Sequence, residues 1–292
     1  MANLEHTRGQ RLDQKVIELF PHLSRAFAVR LIEDKKVKVN QKIQTKPGLK
    51  LRTADNVEVD YDQNSDQTIP DIEIPIIYED EDVVVIDKPV GLLTHSKGAF
   101  NPEATVATWL FRHASNLKKD QLYDSNSRAG IVHRLDRATS GVMICAKNER
   151  ALKYLQKQFG QRKTKKVYYA VVAGVPKHLT AVIDMPIERN PKAPATFRVG
   201  AQGKSAKTTY EVVMSNDKYS LIELRPETGR THQLRVHLQK LGHPIIGDTL
   251  YGTETAERMY LHAASLEVTI PKDSQRKIFT SDMPDDFIKI TS

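Results

Sequence analysis

Hydrophobic positions in this chain keep two rhythms. Short β-branched runs, Val83 to Ile86, Val142 to Cys145, Val167 to Val172, Thr208 to Val213 and Leu221 to Leu224, predict strands. Apolar residues three and four apart predict helices over about 103 to 115, 149 to 160 and 231 to 241, the second with Leu152, Leu155 and Phe159 as its stripe. The alternation is too irregular for a βα repeat. It favours an α+β fold with a mixed, largely antiparallel sheet over a doubly wound one. No internal repeat or low-complexity tract is visible.

The first sixty residues pattern separately. Leu12, Val16 and Phe20 form an apolar stripe that Pro21 closes, and Ser24 can cap a second helix containing Phe27 and Leu31. KVKVNQK, Lys36 to Lys42, alternates and then turns, as a small hairpin does. Gln63 to Pro75 is polar and acidic and reads as a linker. The expected organisation is a small α/β module over 1–62, an acidic linker over 63–77 and a larger α+β domain over 78–292.

Candidate chemistry concentrates in GIVHRLDRATSGVMICAK, Gly130 to Lys147. Ile131-Val132 and Val142 to Ala146 are apolar runs, and Arg137 to Gly141 carries turn residues, so the segment reads as strand, turn, strand. Asp136 falls at the first strand's end, and its neighbours Arg134 and Arg137 would favour the ionised form of a partly buried carboxylate. Taken alone, a turn aspartate more often bonds its own backbone amides. His133, His232 and His237 lack the spacing of a metal site, and no phosphate loop surrounds Gly203-Lys204-Ser205, because Arg198 stands where its first glycine belongs.

Composition narrows the class. A chain of 292 residues can bury one sizeable core and support an accessory module. The single cysteine, Cys145, lies in an apolar run and reads as a buried small hydrophobe. The polar start MANLEHTRGQ and the lack of any run near about 18 apolar residues predict neither a signal peptide nor a membrane span. A cytoplasmic protein that does not engage membranes is therefore expected. The net charge of +8 is unevenly spread: residues 63–89 hold eight acids against Lys88, which leaves +15 on the rest. From Lys147 to Lys166 there are eight basic residues against Glu149, either a solvated helix face or a phosphate-contacting one.

HRLDRATSG is similar to the signature of the RluA family of RNA pseudouridine synthases. EDEDVVVIDKPVG (Glu79 to Gly91), KVYYAVVAG (Lys166 to Gly174), LRPETGRTHQLRVH (Leu224 to His237) and GDTLYG (Gly247 to Gly252) resemble further motifs of that family, in order. Near the N-terminus, RLD, SRxxxxRLI and VxVN resemble the RNA-binding module of ribosomal small-subunit protein S-four, with Lys36 and Gln41 where that module usually has glycines. Residues 1–62 carry twelve Lys/Arg against nine Asp/Glu.

The resemblance implies a bisected sheet with a cleft across its middle. It implies isomerisation of uridine, by breaking the N1–C1′ bond and rejoining the base through C5, with no cofactor and no metal. Asp136 becomes the essential carboxylate, Tyr168 the residue packed against the target base, and Arg230 the cation paired with the aspartate. Arg134 would fill the gap left by the extruded nucleotide, and Arg25 and Arg30 would contact RNA in the module. Tyr169 is the alternative to Tyr168, since neighbours on a strand face opposite sides. The expected partner is RNA, foremost large-subunit ribosomal RNA, to which the module and PIERNPKAPATF (Pro186 to Phe197) point, with transfer RNA as the alternative. Oligomeric state is open, with a monomer the expectation. Two other classes compete: a non-catalytic RNA-binding or assembly factor, and a glycoside or nucleoside hydrolase. The hydrolase is weakened because no second carboxylate accompanies the motif.

Overall fold

The computed structural model describes residues 9–21, 23, 25–61, 70–95, 103–114, 130–273 and 276–292. The N-terminal module has helices α1 (Leu12–Leu19) and α2 (Arg25–Glu33) packed on a sheet of β1 (Val37–Val39), β2 (Lys42–Ile43) and β3 (Val57–Val59) in the order β2-β1-β3. Leu12, Val16, Phe27, Ile32 and Val37 form its core, with Phe20 and Tyr61 against them. Ser24, the expected cap, lies outside the described residues. The β1–β2 turn forms without glycine: Asn40 and Gln41 take positive φ, 50° and 64°. Asn40 tolerates this because its side chain bonds Asp55 and accepts from the Asn56 amide.

The larger part is α+β, as the pattern predicts. Its nine-stranded sheet runs β4 (Ile76–Glu79), β5 (Val83–Lys88), β6 (Ser140–Ala146), β13 (Leu261–Thr269), β7 (Lys165–Ala173), β12 (Tyr219–Pro226), β11 (Lys207–Ser215), β8 (Thr180–Asp184), with β14 (Arg276–Thr280) also on β13. Every pair is antiparallel except β6 with β13. A separate hairpin, β9 (Ile187–Arg189) with β10 (Phe197–Val199), stands off the sheet.

Both faces of the central strands are covered, which is why they read as unbroken apolar runs. Val84, Ile86, Met143 and Cys145 face α3 (Val106–His113), while Val83, Val85, Val142 and Ile144 face α4 (Glu149–Gly160). Ala170, Val172, Ile222 and Leu224 meet α5 (Gln233–Lys240); Val171 and Leu221 meet α6 (Asp285–Thr291) through Phe287. Cys145 is fully buried, and burial pushes its thiol up to about 12. Thr105 and Thr108 cap α3 reciprocally, and residue 115 of that expected helix lies outside the described set.

Two expectations change. Ile131-Val132 is not a strand: Ile131 makes one bridge to Cys145, and 132–136 runs irregularly to a turn closed by the Thr139 amide on the Asp136 carbonyl. Packing of the larger part also begins inside the stretch read as linker, with Ile72 and Ile74 against the α3-side core and β4 starting at Ile76.

Candidate active site

The segment after Asp136 is held by backbone geometry. At Gly141 φ is 111°, and any Cβ would overlap the Ala263 backbone. Only glycine lets β6 start this close to β13, and that closeness sets the 136–139 turn over the middle of the sheet. The KPVG turn clamps the same loop. The buried Lys88 ammonium donates to the carbonyls of Pro89 (2.9 Å), Leu92 (2.8 Å) and Arg137 (3.3 Å), and the Gly91 amide donates to Arg137. Burial pulls Lys88 down to about 7, against the Asp136 charge. Thr94 donates to the Leu135 carbonyl at 2.7 Å.

Asp136 lies in a cleft of about 120 Å³ whose walls include Arg134, Lys166, Tyr168, Arg230 and Arg235. Its side chain is 18% exposed, and Oδ2 accepts from Nη1 of Arg235 at 3.1 Å. Among the described residues Oδ1 accepts no hydrogen bond. Arg235 is buried and also donates to Asp248 from Nε (2.6 Å) and Nη2 (2.7 Å), with its guanidinium 5.0 Å from the Tyr251 ring centre. Burial would lower the Arg235 pKa, but Asp248 and Asp136 raise it overall. The Asp136 cation is thus Arg235 and not Arg230. Arg230, at the start of the same motif, turns outward and donates from Nε to the Ser205 carbonyl at 3.0 Å.

The other expected residues fall as follows. Tyr168 lines the cleft, and burial together with the Asp136 charge pushes its hydroxyl up, so it stays a neutral phenol. Tyr169 points to the opposite face and donates to Glu223, which decides between the two tyrosines. Arg134 is exposed at the cleft and makes no hydrogen bond or ion pair among the described residues. Arg137 pairs with Glu103, away from Asp136. In the N-terminal module, Arg25 and Arg11 both bond the buried Asp13, while Arg30 is exposed with Nη2 3.9 Å from Glu103.

Several supporting roles were not foreseen in the sequence, including that of His232, which was weighed there only as a metal ligand. Gln233 pins the Thr228–Arg230 turn, accepting from the Thr228 hydroxyl (2.7 Å) and the Arg230 amide (3.0 Å). His232, in the left-handed region at φ 57°, bonds Tyr251 through Nδ1 at 2.7 Å and brings Nε2 to 3.9 Å from Asp136. Burial outweighs the Asp136 charge and lowers its pKa. Lys166 lines the cleft with no acid in ion-pair range among the described residues, and burial lowers its pKa. One signal was available. An arginine inside the apolar helix run Leu234-Arg235-Val236 must find a buried acid, and Asp248 in GDTLYG is such an acid. The two other histidines serve the fold: His133 accepts from the Ile144 amide and is pulled down to about 3 by burial, and His237 bonds Thr208 and the Met185 carbonyl.

Comparison with known proteins identifies the family of this chain. The family model described as RNA pseudouridylate synthase matches residues 82–240, and the S4 domain model matches residues 10–57. A Borreliella burgdorferi protein named ribosomal large subunit pseudouridine synthase D is 40% identical over 80% of this chain and 74% of its own length. The Escherichia coli protein of the same name is 34% identical over 98% and 91%. Among solved structures, human RNA pseudouridylate synthase domain containing 1 superposes with a TM-score of 0.59 at 28% identity, covering 72% of this chain and 83% of that one. Asp136, Tyr168 and Arg235 all fall inside the matched span, and the chain belongs to the RNA pseudouridylate synthase family, as an RNA pseudouridine synthase with an S4 domain ahead of its catalytic part.

Proposed function

We propose that this enzyme isomerises specific uridines of large-subunit ribosomal RNA, with Asp136 acting at C1′. One observation carries the reading: a single carboxylate in a cleft, its Oδ2 held by Arg235 and its Oδ1 unengaged among the described residues, with Tyr168 beside it. Oδ1 is the atom that attacks C1′ or stabilises the sugar cation as N1 departs. Arg235 fixes the carboxylate's direction, so little of the barrier is spent on orienting it. Tyr168, neutral and half-buried, offers a flat wall for the detached uracil while it turns to present C5. C1′ and C5 are inaccessible in a stacked helix, so the uridine is extruded first, at a cost of a few kcal/mol. Arg134, exposed at the rim, is placed to enter the vacated stack. The ribosomal substrate is supported by the names of the relatives and by the N-terminal module.

The test uses large-subunit ribosomal RNA transcribed with uridine tritiated at C5. Wild-type enzyme is expected to release tritium to solvent and Asp136→Asn to release none while still binding RNA. Silence of the wild type on ribosomal and transfer RNA alike would instead favour a non-catalytic assembly role.

A further inference from the structure

Hairpin β9–β10 belongs to no part of the catalytic set, yet it is built with care. The Phe197 amide donates to the Tyr251 hydroxyl at 2.8 Å, and Ile187, Ala206, Val236 and Tyr251 form a small core beneath it. Gly203 packs against the Ile187 backbone, where a Cβ would collide, and Lys204 bridges β9 through backbone bonds of 2.9 and 3.0 Å. Between this hairpin and the turn at Gly229 to Thr231 lies a pocket of about 420 Å³. That is within the ~300–1,000 Å³ of small-ligand clefts. The pocket shares Gly229, Arg230 and Thr231 with the cleft holding Asp136, so the two lie side by side along that turn.

Its chemistry is that of a single-stranded nucleotide site. Arg189, Lys204 and Arg230 supply three cations, and the one acid in the lining, Glu188, is paired with Arg198, whose Nη2 and Nε both donate to Oε1 at 2.7 and 2.9 Å. The Arg189 guanidinium lies 5.1 Å from the Phe197 ring centre and donates from Nη1 to the Pro194 carbonyl, a fixed cation and aromatic pairing of the kind on which a base stacks. Extrusion of a uridine unstacks its neighbours, and an unstacked base beside a phosphodiester is the ligand that such a cation and aromatic pairing accepts.

The geometry points to a second nucleotide subsite here: the pocket bounded by Arg189, Phe197, Lys204 and Arg230 takes the nucleotide adjacent to the extruded uridine. This rests on the uridine-isomerase reading above. The site is preformed, so occupancy costs little ordering of the hairpin. The Tyr251 hydroxyl that anchors Phe197 also bonds His232 beside Asp136, which fixes the pocket's position relative to the cleft.

The test compares wild type with Arg189→Ala and Lys204→Ala, both at exposed positions, by tritium release from short RNA substrates spanning a mapped uridine. The substrates are made intact or with the base removed at each flanking position in turn. Each substitution should raise KM about three- to tenfold, leave kcat within about twofold, and reduce the salt slope of binding by about 0.7. Removing the base at one flanking position should mimic Arg189→Ala, and the two together should cost no more than either alone. Unchanged KM and salt slope in both variants, or full additivity with every flanking abasic position, would overturn the subsite while wild-type release leaves the isomerase reading standing. No release by wild type would remove both.

Discussion

Arg235 is a buried cation shared by two carboxylates, and the division of labour between them follows from exposure. Asp248 is fully buried and holds Nε and Nη2; Asp136, at the cleft, takes Nη1 alone. Burial would raise the Asp248 pKa, but Arg235 and the Leu250 and Tyr251 amides hold it below the usual carboxylate range. Asp248→Asn removes the charge that fixes the guanidinium. We expect kcat to fall about 100-fold and unfolding stability to fall by about 3 kcal/mol, read by single-turnover tritium release and urea titration; a wild-type kcat would show that Asp136 needs no fixed partner. Lys166 is the opposite case, a cleft cation with burial uncompensated by any acid among the described residues, so a substrate phosphodiester is its natural counterion. Lys166→Met should weaken RNA binding several-fold and flatten its salt dependence by about 0.7–0.9, and filter binding at several salt concentrations decides it. Motif register put Asp136 and Tyr168 at one cleft, and both line it. The partner arginine was misread because Arg230 and Arg235 share one motif, and only the helix start at Gln233 turns the second inward.

At the scale of elements, legibility followed burial pattern. The strands β5, β6, β7, β11 and β12 and the helices α4 and α5 all occur where apolar rhythm predicts them. Hairpin β9–β10 escaped notice because its strands have three residues each, too short for alternation to register. The run before Asp136 was read as a strand because Ile131-Val132 is β-branched, yet it makes one bridge and is buried by packing rather than by a ladder. The β6–β13 junction is the feature no periodicity reveals, since it depends on φ at one glycine. Gly141→Ala must either relax φ from 111° or push β13 away, and both displace the Asp136 turn. We expect a loss of at least ~2 kcal/mol in unfolding stability, together with activity loss that persists at temperatures where the variant remains folded. Circular dichroism melting beside tritium release separates the two; a variant with wild-type melting would show that the strand contact is looser than the Cβ overlap implies.

Across the whole molecule, each part rests on a buried carboxylate forked by arginine. Asp13 is held by Arg11 and Arg25 in the N-terminal module, Asp82 by Arg150 and Asn148 at the start of β5, and Asp248 by Arg235. Burial opposes ionisation of Asp13 and Asp248, but the hydrogen bonds and charges of their partners prevail, and all three pKa values lie below the ordinary one. A depressed folded-state pKa means that the native state binds fewer protons than the unfolded chain. The stabilisation is therefore complete above the unfolded carboxylate value of about 4 and drains away as pH falls through the lower folded values. Acid unfolding should begin below about pH 4. Among the described residues the N-terminal core draws on Leu12 to Tyr61, distinct from the clusters of the catalytic part, and the long, exposed Arg30–Glu103 contact adds little, so the two should lose structure separately. The only tryptophan, Trp109, is buried in the catalytic part and reports on it alone. Asp13→Asn should lower amide-exchange protection in α1 and α2 at pH 7 while leaving the Trp109 emission transition in urea unmoved. If that transition shifted by as much as the α1–α2 protection fell, the module and the catalytic part would unfold as one cooperative unit, and the S4 domain would be a structural partner of the active site as well as an RNA-binding appendage.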